Sequence, residues 1–268
     1  MTARVNESQT SDIAGDASNG DFMSRSGLRQ FLARRDGLAQ LAVVLAAFGL
    51  YEAARLAMEP NWARAFANAD RILSVEELLG LARERSLQHA FLAVPDLVAA
   101  LNVFYFVGHF LFTAIFFFWL YFRSRDGFTS FRNGFLAATA LAVAIHWLYP
   151  TAPPRLAGVG LEDTLLVLSG IDIGSPTTSA LSNPVAAVPS LHAAYALGVG
   201  IGMVRFARSH LLRAAGFAYP PLVVLTIVVT GNHFLLDAVA GMAVLAAGFG
   251  LAHPFRPREH EPDGALAS

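Results

Sequence analysis

The chain has 268 residues, of which 55 % are hydrophobic and only 15 % charged, with a net charge of −1. Soluble domains carry about 25 % charged residues, so this is the composition of a membrane protein with no nucleic-acid partner. Cysteine is absent, which excludes disulfides, thiolate chemistry and Cys-based zinc sites.

Residues 1–24 are polar and rich in Ser, Asn, Asp and Gly, without the basic start and short apolar run of a signal peptide. They read as a disordered cytoplasmic tail. Arg25, Arg29, Arg34 and Arg35 lead into a first apolar run, residues 38–58, long enough to span a bilayer. Glu52 and Arg55 near its end read as an interfacial pair reaching outward. Residues 59–95 are charged but periodic. Ile72, Val75, Leu79 and Ala82 share one face, while Asp70, Glu77, Glu84 and Arg85 lie elsewhere. That pattern predicts an amphipathic helix on the membrane surface. The second span, 96–122, is aromatic, and Asn102, Tyr105 and His109 recur in it at helical spacing. Such a stripe is more often packing glue between helices than catalytic machinery. Neither its role nor that of His146 in the third span is assigned by the sequence.

The third span, 134–149, stops at Pro150, Pro153 and Pro154. A loop rich in Gly, Ser, Thr and Pro follows to Ala187. The fourth span starts at Val188 and runs to Phe206. The fifth, 217–229, has Pro220 and Pro221 near its start, and the sixth opens at Thr230 and continues to Leu251. The fold expected is all-α: a polytopic membrane protein, a six-transmembrane-helix bundle with an outer-face amphipathic helix. Residues 25–252 form the membrane domain, and 253–268 a second cytoplasmic tail. All 19 basic residues are arginines. Thirteen of them lie in the tails and in the loops after spans two and four, and six on the opposite side. The positive-inside rule then makes the termini cytoplasmic and places Arg155, His192 and His233 on the extracytoplasmic face of the cell membrane.

His233 and Asp237 are four residues apart, so on a continuous helix they share a face. A carboxylate inside an apolar zone costs roughly 2.5–3.5 kcal/mol on insertion scales and is by default functional. Asp237 can orient His233, fixing its tautomer and leaving one ring nitrogen free to act. A structural His–Asp pair locking two helices is the alternative. Arg155, after the proline-stiffened exit of span three, can clamp a phosphate bidentately. Pro189 suits the first helical position, which leaves free N–H groups and the Ser190 hydroxyl at a helix N-terminus, an anion site. His192 lies one turn in, placed to move a proton. Asn232 and Tyr149 are supporting candidates. A proton-relay transporter or lipid flippase is a competing class, but its site belongs near the midplane and these groups cluster at one surface. A metal centre from His192, His233 and Asp237 lacks further carboxylates at that depth, so no metal is assigned.

Pro189-Ser190-Leu191-His192 followed by His233-x3-Asp237 resembles the second and third motifs of the type 2 phosphatidic acid phosphatase superfamily. The motifs of that superfamily are Lys-x6-Arg-Pro, Pro-Ser-Gly-His and Ser-Arg-x5-His-x3-Asp. Here Leu148 stands at the lysine position and Leu156 follows Arg155; Leu191 replaces the glycine, and Thr226-Ile227 replace Ser-Arg. Pro-x-Ala-Pro-Pro-Arg, Pro-Ser-Leu-His and Gly-Asn-His-x3-Asp are more similar to the inositolphosphotransferase branch, which includes fungal inositol phosphorylceramide synthase. The resemblance covers residues 38–251. It implies covalent catalysis without metal or cofactor: His233 attacks phosphorus, Asp237 orients it, and His192 protonates the leaving oxygen and then activates the acceptor. Arg155, Ser190 and nearby N–H groups would hold the phosphoryl oxygens. The implied partners are a phospholipid or polyprenyl phosphate donor and, as acceptor, a hydroxyl-bearing lipid or water.

The topology is testable because the chain has no cysteine of its own. Gly160→Cys and Ser175→Cys are expected to react with an impermeant thiol reagent added outside intact cells, and His210→Cys to stay unlabelled. The opposite pattern places the histidines in the cytoplasm.

Overall fold

The structure is a computed structural model that describes residues 25–173 and 183–253. The expected tails before Arg25 and after His253, and residues 174–182 of the expected loop, lie outside the described residues. The chain divides into two compact units, Met1–Gly49 and Leu50–Ser268. The first holds most of α1, Arg25–Leu56, and every site discussed below belongs to the second. The described elements are all helical. α2 is Trp62–Leu79 and α3 Glu84–Phe91. α4, Pro95–Val103, continues through a π-helical turn, Phe104–Gly108, into α5, His109–Arg123. After α6, Arg125–Leu148, come the short α7, Thr164–Ser169, then α8, Leu191–Phe206, α9, His210–Val229, and α10, Leu235–Ala252.

Five of these stretches are long and apolar enough to cross a membrane: Asp36–Leu56, Pro95–Arg123, Arg125–Leu148, His210–Val229 and Leu235–Ala252. The helix at the expected fourth span, α8, is apolar but has only 16 residues. Two helix starts lie outside the apolar runs, and a side-chain cap sets the first of them. Ser124 accepts from Gly127 N–H and starts α6 nine residues before Gly134. α9 begins at His210, so Pro220 and Pro221 are interior to it rather than near its start.

The amphipathic segment differs from its expected form. Asn61 caps α2 by accepting from Arg64 N–H, and Gly80, at φ 69°, ends it, so two helices replace one. The buried stripe of α2 is Ala65, Asn68, Ala69, Ile72 and Glu76, whereas Val75 and Leu79 are exposed. Glu84, expected on a polar face, is buried. The reason is that α2 packs on protein, against Ala152 and Phe234, through small residues that allow close approach. Glu52 and Arg55 do pair, at 2.6 Å, but Arg55 is buried rather than reaching outward.

The bundle core is aromatic and small-residue rich. Phe117 meets Phe135 edge-on at 4.9 Å between α5 and α6, and Phe131 meets Phe249 of α10 at 5.1 Å. α10 packs along α6, and α9 along α8. Glycines at these seams let backbones touch, as is usual where lipid supplies no hydrophobic drive between helices. A Cβ on Gly248 would lie 2.6 Å from Ala138 N, and one on Gly200 2.6 Å from the Gly216 carbonyl. The tightest approach is at Gly241, whose added Cβ would overlap the Ser190 carbonyl.

Gly241→Ala is therefore expected to lower the thermal unfolding midpoint of the solubilised protein, overpacking of this kind costing about 1–3 kcal/mol. Gly250→Ala, whose Cβ meets nothing within 4 Å, is the control and should leave the midpoint unchanged or slightly raised. Equal midpoints for both variants would mean that the Ser190 backbone does not rest on α10.

Candidate active site

The site is assembled from three chain segments that meet at the start of α10. The first is the exit of α6. Tyr149 ends that helix and packs against the cluster that holds Ala65, Ala152 and Phe234. Thr151 N–H donates to the Val185 carbonyl at 2.7 Å and Ala187 N–H to the Thr151 carbonyl at 3.1 Å, which ties this exit to the segment leading into α8. Arg155 N–H donates to the Gly231 carbonyl at 2.9 Å. The Arg155 side chain is buried beneath two acceptors: Nε donates to Asn232 Oδ1 at 2.9 Å and Nη1 to Asp163 Oδ2 at 2.9 Å. Nη2 takes no such partner among the described residues.

The second segment is the C-terminus of α9. Thr230 closes it, and Gly231 turns the chain at φ +70°, a backbone region that side chains with a Cβ rarely adopt. Asn232 and His233 N–H both donate to the Ile227 carbonyl, at 3.0 and 3.1 Å. Asn232 Nδ2 donates to Thr230 Oγ1 at 2.8 Å, which points its Oδ1 at Arg155. His233 therefore lies in a helix cap, not in a helix. The expectation that it shares a helical face with Asp237 is corrected, yet the pair forms. α10 starts two residues later, and Asp237, in its first turn, accepts Phe234 N–H at 2.9 Å through Oδ2 and meets His233 Nδ1 at 3.3 Å with the same oxygen. The cap brings the two together where helical register was expected to.

His233 Nδ1 also lies 2.9 Å from the Ala187 carbonyl. A carbonyl only accepts, so Nδ1 carries the proton and Nε2 keeps a lone pair. Burial pushes the imidazole down to about 4, with the positive charge of Arg155 acting in the same direction and the Ala187 hydrogen bond against both.

The third segment is the start of α8. Ser190, not Pro189, stands at its boundary: Ser190 is the N-cap and its Oγ accepts Ala193 N–H at 3.3 Å. Pro189 lies outside the helix, after a cis Val188–Pro189 bond, so the expected proline at the first helical position is corrected as well. Leu191 and His192 N–H have no carbonyl one turn back and no partner among the described residues, which leaves them as an open anion-binding end. Ser190 N–H donates to the Asp237 carbonyl at 3.0 Å, joining the segment to α10. His192 stands 5.8 Å from His233, ring centre to ring centre.

Five further residues, Tyr105, His109, His146, Glu76 and Glu84, shape the site without having been assigned to it by the sequence. The ring of Tyr105, in the π-helical turn, stacks on His192 at 4.3 Å, and its carbonyl lies 3.3 Å from His192 Nε2. π-turns shift the hydrogen-bond ladder by one residue and recur at functional sites. His109 is 5.1 Å from His192 ring to ring and has Nδ1 2.9 Å from Tyr219 Oη. His146 Nε2 lies 3.1 Å from the Pro189 carbonyl and braces the approach to Ser190. The polar stripe of the second span is thus split. Asn102 is packing glue, bonded to Thr164 and Ser169, while Tyr105 and His109 line the site. Its recurrence at helical spacing was the only signal, and it does not separate those roles. Glu76 and Glu84 also reach α10, accepting the N–H groups of Leu236 and Leu235.

Paired histidines, a buried carboxylate, an arginine and a helix N-terminus with unpaired N–H groups are a set of groups able to bind and transfer a phosphoryl group. The chain matches the PAP2 superfamily over residues 70–251, and it belongs to that family. It is thus a multi-pass membrane protein of a phosphatase and phosphotransferase family that acts on lipid phosphates. No curated protein and no solved structure matches it.

The electrostatics of His233 carry a pH prediction. Its folded-state value, about 4, lies below the ordinary 6.5, so the unfolded chain binds the extra proton first. Folding stability from this group should be intact above pH 6.5 and fall as pH drops from 6.5 to about 4. Nitrogen-15 spectra of histidine-labelled protein in nanodiscs should show one ring, lost in His233→Gln, still neutral with Nδ1 protonated at pH 5.5. A His233 ring that titrates at or above 6.5 contradicts this.

Proposed function

We propose that this protein is an integral-membrane lipid phosphotransferase of the inositolphosphotransferase type, working through a phosphohistidine on the extracytoplasmic face. The observation that carries the reading is the state of His233: neutral, Nδ1 committed to Ala187 and Asp237, Nε2 free, with His192 adjacent. In the first half-reaction the Nε2 lone pair attacks phosphorus and the phosphate-ester bond breaks. The leaving oxygen takes the Nε2 proton of His192, otherwise held on the long 3.3 Å contact with the Tyr105 carbonyl. Asp237 stabilises the cationic ring that results. Arg155 Nη2, Ser190 and the Leu191 and His192 N–H groups hold the phosphoryl oxygens, where charge spreads in a loose transition state. Asn232 aims the guanidinium, and Tyr149 supports the wall beside Phe234. In the second half-reaction His192 takes the proton of the acceptor hydroxyl, the acceptor oxygen attacks phosphorus, and the N–P bond breaks.

Transfer is favoured over hydrolysis by the cover on the site. α2 and α3 dock on the start of α10, and His233, Ser190 and Asn232 are all buried, so bulk water has no free run at the phosphohistidine. We take α8 as a sixth crossing. At 1.5 Å per residue its 16 residues reach about 24 Å, short of the roughly 30 Å hydrocarbon thickness. Its capped end is then recessed below the outer surface, where a lipid phosphate can meet it, with α2 and α3 on the outer face. The arginine asymmetry orients both termini to the cytoplasm.

The experiment supplies a radiolabelled phospholipid to purified protein in liposomes, with and without inositol-containing lipids, diacylglycerol or polyprenols. Label is expected to pass to an acceptor lipid faster than to water, and His233→Ala to lose at least about 1,000-fold in turnover. Release to water at one rate whatever the acceptor makes the enzyme a lipid phosphate phosphatase instead.

A further inference from the structure

Three carboxylates converge on the first turn of α10. Asp237 Oδ2 accepts Phe234 N–H at 2.9 Å, Glu84 Oε1 accepts Leu235 N–H at 3.0 Å, and Glu76 Oε1 accepts Leu236 N–H at 2.7 Å. Three successive orphan donors of one helix end are each taken by a different acid, two of them sent from outside the helix by α2 and α3. Glu76 and Asp237 are completely inaccessible, and Glu84 is 3 % exposed. Glutamates are almost never buried without partners, and Glu77, one residue along α2, is exposed like most. Among the described residues no arginine is ion-paired with Glu76 or Glu84. Arg155, the nearby candidate, is spent on Asn232 and Asp163.

Glu76 Oε2 is buried and takes no N–H or O–H hydrogen bond among the described residues. Its remaining neighbour is the Glu84 carboxyl, within hydrogen-bonding reach. Two acceptors in contact are satisfied only when a proton lies between them. Burial, with Glu84 and Asp237 adding to it, pushes Glu76 up to about 8, so at neutral pH the pair holds that shared proton. The arrangement is a neutral-plus-anion clamp on the helix end that follows His233. It also fills the N-terminus of α10, so that of the two helices that begin at the site it is α8 that presents open N–H groups to a phosphate.

We propose that Glu76 and Glu84 are positioning residues for His233, which grip the first turn of α10 from the two cover helices and hold the His233–Asp237 pair in register with Ser190 and His192. The proposal rests on the reading of His233 as nucleophile. Both glutamates act through the backbone of α10 and touch no reacting atom. Removing either acceptor frees an N–H group in a buried helix end and lets that turn shift, and a misplacement of 1 Å at a reacting atom costs about 100-fold in rate.

The test compares Glu76→Ala with Glu76→Gln. The glutamine keeps a carbonyl for Leu236 N–H and offers an N–H to Glu84 in place of the shared proton. Glu76→Ala is expected to lose about 100-fold in kcat with KM within about threefold, while Glu76→Gln stays within about threefold of the parent in both. Orthovanadate, a mimic of the pentacoordinate phosphorus, should bind Glu76→Ala at least about tenfold more weakly and Glu76→Gln as the parent does. Binding to vanadate depends neither on the acceptor nor on whether water replaces it. A second route removes the donor. Leu235→Pro deletes the N–H that Glu84 accepts at a position where proline is well tolerated, the first of the helix, after Phe234 at φ −72° and ψ 160°. It should fold, show the same loss, and make a further Glu84→Gln change silent. Parent-like kcat and vanadate binding in Glu76→Ala or in Leu235→Pro overturn the proposal, as does a Glu76→Gln variant as damaged as Glu76→Ala. His233→Ala runs in parallel. If it keeps vanadate binding and turnover, the nucleophile reading fails and the proposal falls with it; if it loses both while Glu76→Ala keeps them, the positioning proposal alone fails.

Discussion

Ser190 resting on α10 is the contact that makes one site from distant segments. Its N–H donates to the carbonyl of Asp237, and its own carbonyl occupies the space a side chain on Gly241 would need. Through that contact the open end of α8 and the start of α10 share one position. The Ala187 carbonyl, three residues before Ser190, is thereby placed on His233 Nδ1. The histidine tautomer, the gap between the two histidines and the direction of the free N–H groups all follow from one backbone approach that only a residue without a Cβ permits. The other glycine seams, at Gly200 and Gly248, serve the same end further down the bundle by holding α8 on α9 and α10 on α6.

The distribution of charge around this joint is asymmetric. Two helices begin here, and each N-terminus favours an anion. One is filled by carboxylates of the protein itself, and the other is capped only through Ser190 Oγ on Ala193 N–H. The guanidinium of Arg155 is anchored at Nε and Nη1, so its position is set before any ligand arrives. Preorganised donors in a dry site stabilise developing charge without reorganising, which is where catalytic electrostatics gain most over water. Their cost is desolvation, and the same burial that holds His233 neutral is part of it.

The π-helical turn between α4 and α5 adds the wall opposite. By displacing the ladder at Phe104–Gly108 it turns the Tyr105 carbonyl toward His192 and lays the Tyr105 ring across the imidazole. His109, one residue beyond the turn, backs the same imidazole and is itself pinned by Tyr219 of α9. His192 is thus oriented from a helix remote in sequence from its own, and His146 on α6 braces the residue before Ser190. Histidines of two further helices, His109 of α5 and His146 of α6, thus flank the segment that carries His192.

The sequence by itself determined the class of the protein and named the residues of the candidate site. Apolar runs locate crossings because the bilayer demands about 20 residues without charge, and the spacing of His233 and Asp237, of Pro189 through His192, and the proline-flanked Arg155 are local signals. Tertiary structure decided what periodicity cannot. A surface segment with residues of both kinds has more than one candidate buried face, and Ile72 with Ala65 and Ala69 won over Val75 and Leu79 because small residues fit against Ala152 and Phe234. Glu76 and Glu84 look like solvated charges until the helix end that needs their oxygens is seen to lie 160 and 151 residues away in the chain. Even the His–Asp pair, legible as a spacing, is made by a helix cap and not by a helix. Hydrogen-bond partners far apart in sequence are fixed only when backbones meet, and composition carries no record of where they meet.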